Sequence, residues 1–158
     1  MEPQDLLNIE EGVYRIHETA NNPAADRRYQ ADWRYKDVFP KGSLYKIAFY
    51  EEEDRFRDKP PRIRRDIIIQ RVNLTFTMRS AVSFPKEGDG DVRASFWGTK
   101  DKHRQAFEAL IDALVPVEEL EPILDATESY DLKMALTFLV KDGLVTKEQV
   151  LERITRHS

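Results

Sequence analysis

The chain has 158 residues, 41% of them hydrophobic and 34% charged, the balance of a soluble globular protein built as one domain with or without an appendage. It contains no cysteine, which excludes disulfides, thiol chemistry and cysteine zinc sites and fits a reducing, cytoplasmic setting. The net charge of −4 resides in residues 115–158, with 5 basic against 9 acidic side chains; residues 1–114 balance 20 against 20, which argues against unspecific DNA binding as the main role.

In chain order, "EPQDLLNIEEG" predicts a short helix with Pro3 early and Gly12 closing it. It is acidic and lacks the charged start and apolar core of a signal peptide. No apolar run approaches the roughly 20 residues that span a bilayer, so no membrane contact is expected. "GVYRIHE" reads as a strand. "TANNPAADRR" is a loop by its Asn and Pro content, and "DWRYKDVFPKGS" is irregular, with breakers at Pro40 and Gly42. "LYKIAFYE" alternates Tyr45, Ile47 and Phe49 with Lys46 and Ala48, a strand pattern. From Arg71 to Arg79 the alternation is strict: Val72, Leu74, Phe76 and Met78 share one face of an expected half-buried antiparallel strand. Carried back, that pleat puts Ile68 on the dry face and leaves Ile67 and Ile69 on the polar face, in need of a cover. "PKEGDGD" is a turn, and "VRASFW" returns as a partner strand.

Thr99 is a candidate N-cap for a helix whose stripe is Phe107, Leu110, Ile111 and Leu114, with Pro116 as its stop. "VEELEPILDA" is a short segment broken by Pro122. "SYDLKMALTFLVKDG" carries a stripe of Leu132, Ala135, Leu136 and Leu139, widened by Met134 and Phe138, and ends at Gly143. Thr146 and Gln149 form a capping box, and Val145 and Val150 a hydrophobic staple, for the last helix. The fold class is therefore α+β. Residues 1–115 form a mostly antiparallel β-sheet closed by one amphipathic helix, and residues 116–158 an α-helical appendage, a helical hairpin docked on that sheet or on another chain.

Within that hairpin, residues 135–154 ("ALTFLVKDGLVTKEQVLERI") resemble the short C-terminal domain called SHOCT, through Gly143, Leu144, Thr146 and Gln149. They depart from its pattern where Gln149, Val150 and Leu151 replace an acidic residue followed by an aromatic one. The resemblance implies a helix–turn–helix that aids assembly, and it does not extend to residues 1–115.

Chemistry-bearing motifs are sparse. His17, His103 and His157 stand apart, without metal-ligand spacing. Glu51–Asp54 is a consecutive acidic run and reads as a solvated strand end; Asp89–Asp91 lacks the order of a calcium loop. No nucleophile elbow or phosphate loop occurs. No catalytic residue, metal or cofactor is expected. One constellation remains: Arg55, Arg57, Lys59, Arg62, Arg64, Arg65 and Arg71, opposed only by Asp58 and Asp66. Upstream, Arg27, Arg28 and Arg34 alternate with Tyr29, Trp33 and Tyr35. Arginines pair with phosphates and aromatics stack on bases, so this stretch is the candidate nucleic-acid contact. The neighbouring Glu51–Asp54 run could instead neutralise it across a turn. The expected function is a non-catalytic protein-interaction or assembly subunit, joined to a protein partner or to its own copies. Its candidate docking residues are Ile67, Ile69, Met134, Phe138 and Leu139. Nucleic-acid binding through residues 55–71 is the alternative.

Overall fold

A computed structural model describes residues 2–16, 43–72, 77–94, 101–127 and 129–157. His17, Arg27, Arg28, Tyr29, Trp33, Arg34, Tyr35, Leu74, Phe76, Phe96 and Thr99 lie outside that set, as do the side chains of His103 and His157. The fold is α+β; among the described residues it has a curled antiparallel sheet of six strands and five helices. The strands are β1 (Gly12–Ile16), β2 (Leu44–Asp54), β3 (Arg62–Arg71), β4 (Thr77–Pro85), β5 (Arg93–Ala94) and β6 (Leu114–Pro116). The helices are α1 (Pro3–Leu6), α2 (Asp101–Ala113), α3 (Leu120–Asp125), α4 (Tyr130–Lys141) and α5 (Lys147–His157). In space the strands run β5-β4-β3-β2-β1-β6. None of the described helices is long and apolar enough to cross a membrane.

Side chains on a strand alternate between faces, so each strand feeds two layers. On the first face Ile16, Tyr45, Ile47, Ile67, Ile69, Met78 and Val82 form one buried cluster with Leu6 of α1 and with Phe107, Leu110 and Ala113 of α2. On the second face Val13 of β1 joins Val117, Ile123, Ala126, Leu136, Val150 and Ile154, which unites α3, α4 and α5 over that side of the sheet. Each fully buried aliphatic side chain contributes about 1.5–3 kcal/mol of transfer free energy.

The expected strand from Arg71 to Arg79 is two strands. β3 ends at Arg71, β4 starts at Thr77, and the two pair antiparallel with Gln70 opposite Thr77. The chain reverses between them, so the pleat cannot be carried back through the isoleucines. The faces are accordingly inverted: Ile67 and Ile69 are fully buried in the first cluster, and Ile68 is half-buried on the second face.

Two further boundaries differ. Leu114 leaves the helix to start β6, which pairs with β1 through Tyr14 opposite Pro116 and Ile16 opposite Leu114. The sheet therefore continues past residue 115. Pro122 sits inside α3, in its first turn, where a missing N–H costs the helix no hydrogen bond.

Local chemistry sets the C-terminal turns. The Leu144 N–H donates to the Leu139 carbonyl at 2.9 Å and the Gly143 N–H to the Val140 carbonyl at 3.0 Å, a Schellman closure of α4 with Gly143 at φ 71°. The Gln149 N–H donates to Thr146 Oγ1 at 3.2 Å and the Thr146 N–H to Gln149 Oε1 at 2.8 Å. This reciprocal box opens α5, and Val145 packs against the second cluster that buries Val150.

Candidate functional site

The basic stretch lies on the β2–β3 hairpin, whose register decides what its arginines can do. Glu51 stands directly opposite Arg65, Glu52 opposite Arg64 and Asp54 opposite Arg62. Arg65 Nε donates to Glu51 Oε1 at 2.6 Å, and its guanidinium lies 4.7 Å from the Phe49 ring centroid and 5.4 Å from that of Phe84. Arg64 Nη2 donates to Glu52 Oε2 at 2.6 Å on the other face, while Arg64 Nε lies 3.8 Å from Asp66 Oδ1. Arg62 is turned towards the β4–β5 connection. Its Nε donates to Ser83 Oγ at 2.8 Å, and its Nη2 to the carbonyls of Ser83 and Asp91 at 3.0 and 2.8 Å. Only 17% of its side chain is exposed, so this arginine works as an internal tie.

Glu53 accepts from Arg55 Nε at 2.7 Å and Lys86 Nζ at 3.0 Å. These two bonds, Lys86 first, hold its carboxyl below the ordinary value. Arg93, bonded to Asp91, lowers that carboxyl in the same way, with a smaller contribution from Arg62. At the end of β3, Arg71 stands opposite Tyr45. Burial raises the Tyr45 hydroxyl pKa, and the Ser43 hydrogen bond and the Arg71 charge offset part of that rise. Arg57 and Lys59, exposed in the turn beside Phe56, make no side-chain ion pair among the described residues. Of the seven candidate cations, Arg64 and Arg65 are thus held by carboxylates across the hairpin and Arg62 by Ser83 and Asp91, while Arg55 pairs with Glu53 and stays 76% exposed. The opposition of Glu51–Asp54 to this stretch was readable in the sequence; the stacking of Arg65 on Phe49 and Phe84 was not.

The expected docking residues divide. Ile67 and Ile69 are filled over by the chain's own Phe107 and Leu110 layer and have no surface to offer. The C-terminal residues are different. α4 starts at the Ser129 cap, whose Oγ accepts from the Leu132 N–H at 3.4 Å. At about 100° per residue, Leu132, Leu136 and Val140 fall on one side, and these pack into the second cluster. Tyr130, Met134 and Phe138 follow one another at four-residue spacing on the opposite side. Tyr130 is 72% exposed and Phe138 57%, and Met134 is half-buried. Leu139 is exposed at the margin, and Leu144, 69% exposed, continues the apolar surface past the helix end. The buried stripe is therefore narrower than the one expected from sequence: Ala135 and Leu139 are outside it.

Among the described residues, clefts flank β1 and β2. One is lined by Ile9, Tyr14, Ile47, Ile111, Leu114 and Pro116. Burial, and secondarily Glu10, pushes the Tyr14 phenol up to about 12. It is a neutral donor at ordinary pH, and it already donates to the Glu10 carbonyl at 2.6 Å. Another cleft brings Glu10, Glu11 and Glu51 near Phe49, Tyr50 and Arg65. No group of three or more metal-ligating side chains converges among the described residues.

Compared with known proteins, the chain matches no family model, no curated protein and no solved structure.

Proposed function

We propose that this protein is a non-catalytic protein-interaction subunit that docks through the outer face of α4. The observation that carries this reading is a helix with two apolar sides: Leu136 is buried within the chain, while Tyr130 and Phe138 are exposed. Solvent-facing helix surfaces are ordinarily polar, and contiguous exposed aromatic groups are the composition of interface cores. Leu139 and Leu144 enlarge the patch, and Asp131, Lys141 and Asp142 give it a charged rim. The docking role expected for Ile67 and Ile69 is replaced by this face, because both are core. A contact with phosphates would have to be built mainly on Arg55, Arg57 and Lys59, since Arg62, Arg64 and Arg65 already hold carboxylates and carbonyls.

A photo-crosslinking amino acid at position 130, 134 or 138, in cells, tests the reading. Discrete protein adducts are expected from these positions and not from position 89 in the exposed β4–β5 turn. Equal labelling from all positions, or no adduct from α4, would refute it.

A further inference from the structure

The outer face of α4 has a second property: it is complementary to itself when reversed. Pairing two copies antiparallel about a point at residue 136 sets residue i of one copy opposite residue 272 − i of the other. Asp131 then stands at the level of Lys141 of the second copy, and Met134 at the level of Phe138, all four near the line of contact. Each contact occurs twice, as twofold symmetry requires. Both levels match chemically: a carboxylate is set beside an ammonium, and a thioether beside an aromatic ring. Asp131 and Lys141 are both exposed and make no ion pair within the chain among the described residues, so both charges are available.

From this complementarity we propose that the partner of the α4 face is a second copy of the same chain, in an antiparallel, isologous helix pair centred between Met134 and Phe138. The inference rests on α4 being a docking surface and adds the identity and register of what docks. Size sets its strength. Twelve residues make a helix about 18 Å long, presenting a strip well short of the roughly 800 Å² per partner of a standard interface. Leu139 and Leu144 extend the strip but do not reach that area. The dimer is therefore weak, with a Kd on the order of 100 μM, and forms at high local concentration.

The test is sedimentation equilibrium of the full chain from about 10 to 500 μM. Wild type is expected to move from monomer to dimer across that range, and Phe138→Asp to stay monomeric. Asp131→Lys and Lys141→Asp each place like charges together twice, and each alone should weaken self-association about tenfold or more. Mixed in equal amounts, these two variants place opposite charges at all four positions. They should form a heterodimer at least as tight as the wild-type dimer. Thermal melts of all variants confirm that each remains folded. A mixture that associates no better than its components overturns the register, and wild type monomeric at 500 μM overturns the self-pairing. In the latter case, α4-specific crosslinks to a different protein would still uphold the docking surface, and their absence would remove it too.

Discussion

Replacing Arg65 by alanine asks whether the basic stretch belongs to the fold. Three groups hold this side chain: the ring of Phe49, the ring of Phe84 and the carboxylate of Glu51, and its side chain is only 21% exposed. An arginine over an aromatic face contributes about 0.5–1 kcal/mol at a partly exposed site. The Glu51 side chain is 46% exposed, so the pair is screened and adds about 0.2–1 kcal/mol. Together these predict a loss of about 1–3 kcal/mol for Arg65→Ala, or a Tm lower by roughly 3–10 °C for a chain of this size. Arg65→Lys keeps the charge but not the planar stack, and should recover less than half of the loss. The assay is urea unfolding followed by circular dichroism, where a shifted midpoint at constant m reports stability alone. A double-mutant cycle with Glu51→Gln isolates the ion pair, with a coupling below about 1 kcal/mol. An Arg65→Ala midpoint equal to wild type would refute the structural assignment and return this arginine to the pool available for a phosphate ligand.

Ile69→Ala, at a fully buried position shared with Met78 and Phe107, should cost about 2–5 kcal/mol in the same urea experiment; a cost below 1 kcal/mol would contradict its place in the core. Gly143→Ala puts a Cβ on a residue at φ 71° where nothing crowds it, so the loss is backbone strain alone, about 1 kcal/mol, measurable as a lower Tm with unchanged helix content. Tyr14 binds its proton more tightly folded than unfolded. Its contribution to stability is therefore complete below pH 10 and is lost as pH rises from 10 towards about 12. Tyr14→Phe should flatten that alkaline limb of the stability curve, and an unchanged limb would place the titration elsewhere.

How much of this was legible depends on the range of the interactions involved. The α5 capping box uses residues three apart, and Thr146 and Gln149 announce it directly. β2 reads clearly because one face of Tyr45, Ile47 and Phe49 repeats every second residue. The β3–β4 reversal does not. Between Arg71 and Thr77 there is no glycine or proline, and the alternation of apolar residues passes through the turn unbroken. One missed turn then inverted the facing of Ile67, Ile68 and Ile69. β6 is three residues long and is a strand only because β1 is beside it. The outer face of α4 was legible in part: Met134, Phe138 and Leu139 stood out as apolar, and Tyr130 did not. A sequence shows that Met134, Leu136 and Phe138 are apolar, but which of them the sheet covers is decided by where α5 and β1 lie.

The strand order carries a consequence for how the molecule assembles. The two edges of the sheet, β5 and β6, are neighbours in sequence, yet four strands lie between them along the curled sheet. The β1–β6 ladder pairs Ile16 with Leu114 and Tyr14 with Pro116, so it joins the start of the described chain to a strand late in it and closes a very long loop. β2, β3 and β4 are by contrast successive antiparallel neighbours, and their pairings close over short loops. The expected folding order is the β2–β3–β4 meander first and the β1–β6 ladder last. φ-values near zero for substitutions in β6, set against fractional values at Ile67 and Ile69, would be its signature, and high values in β6 would reverse the order.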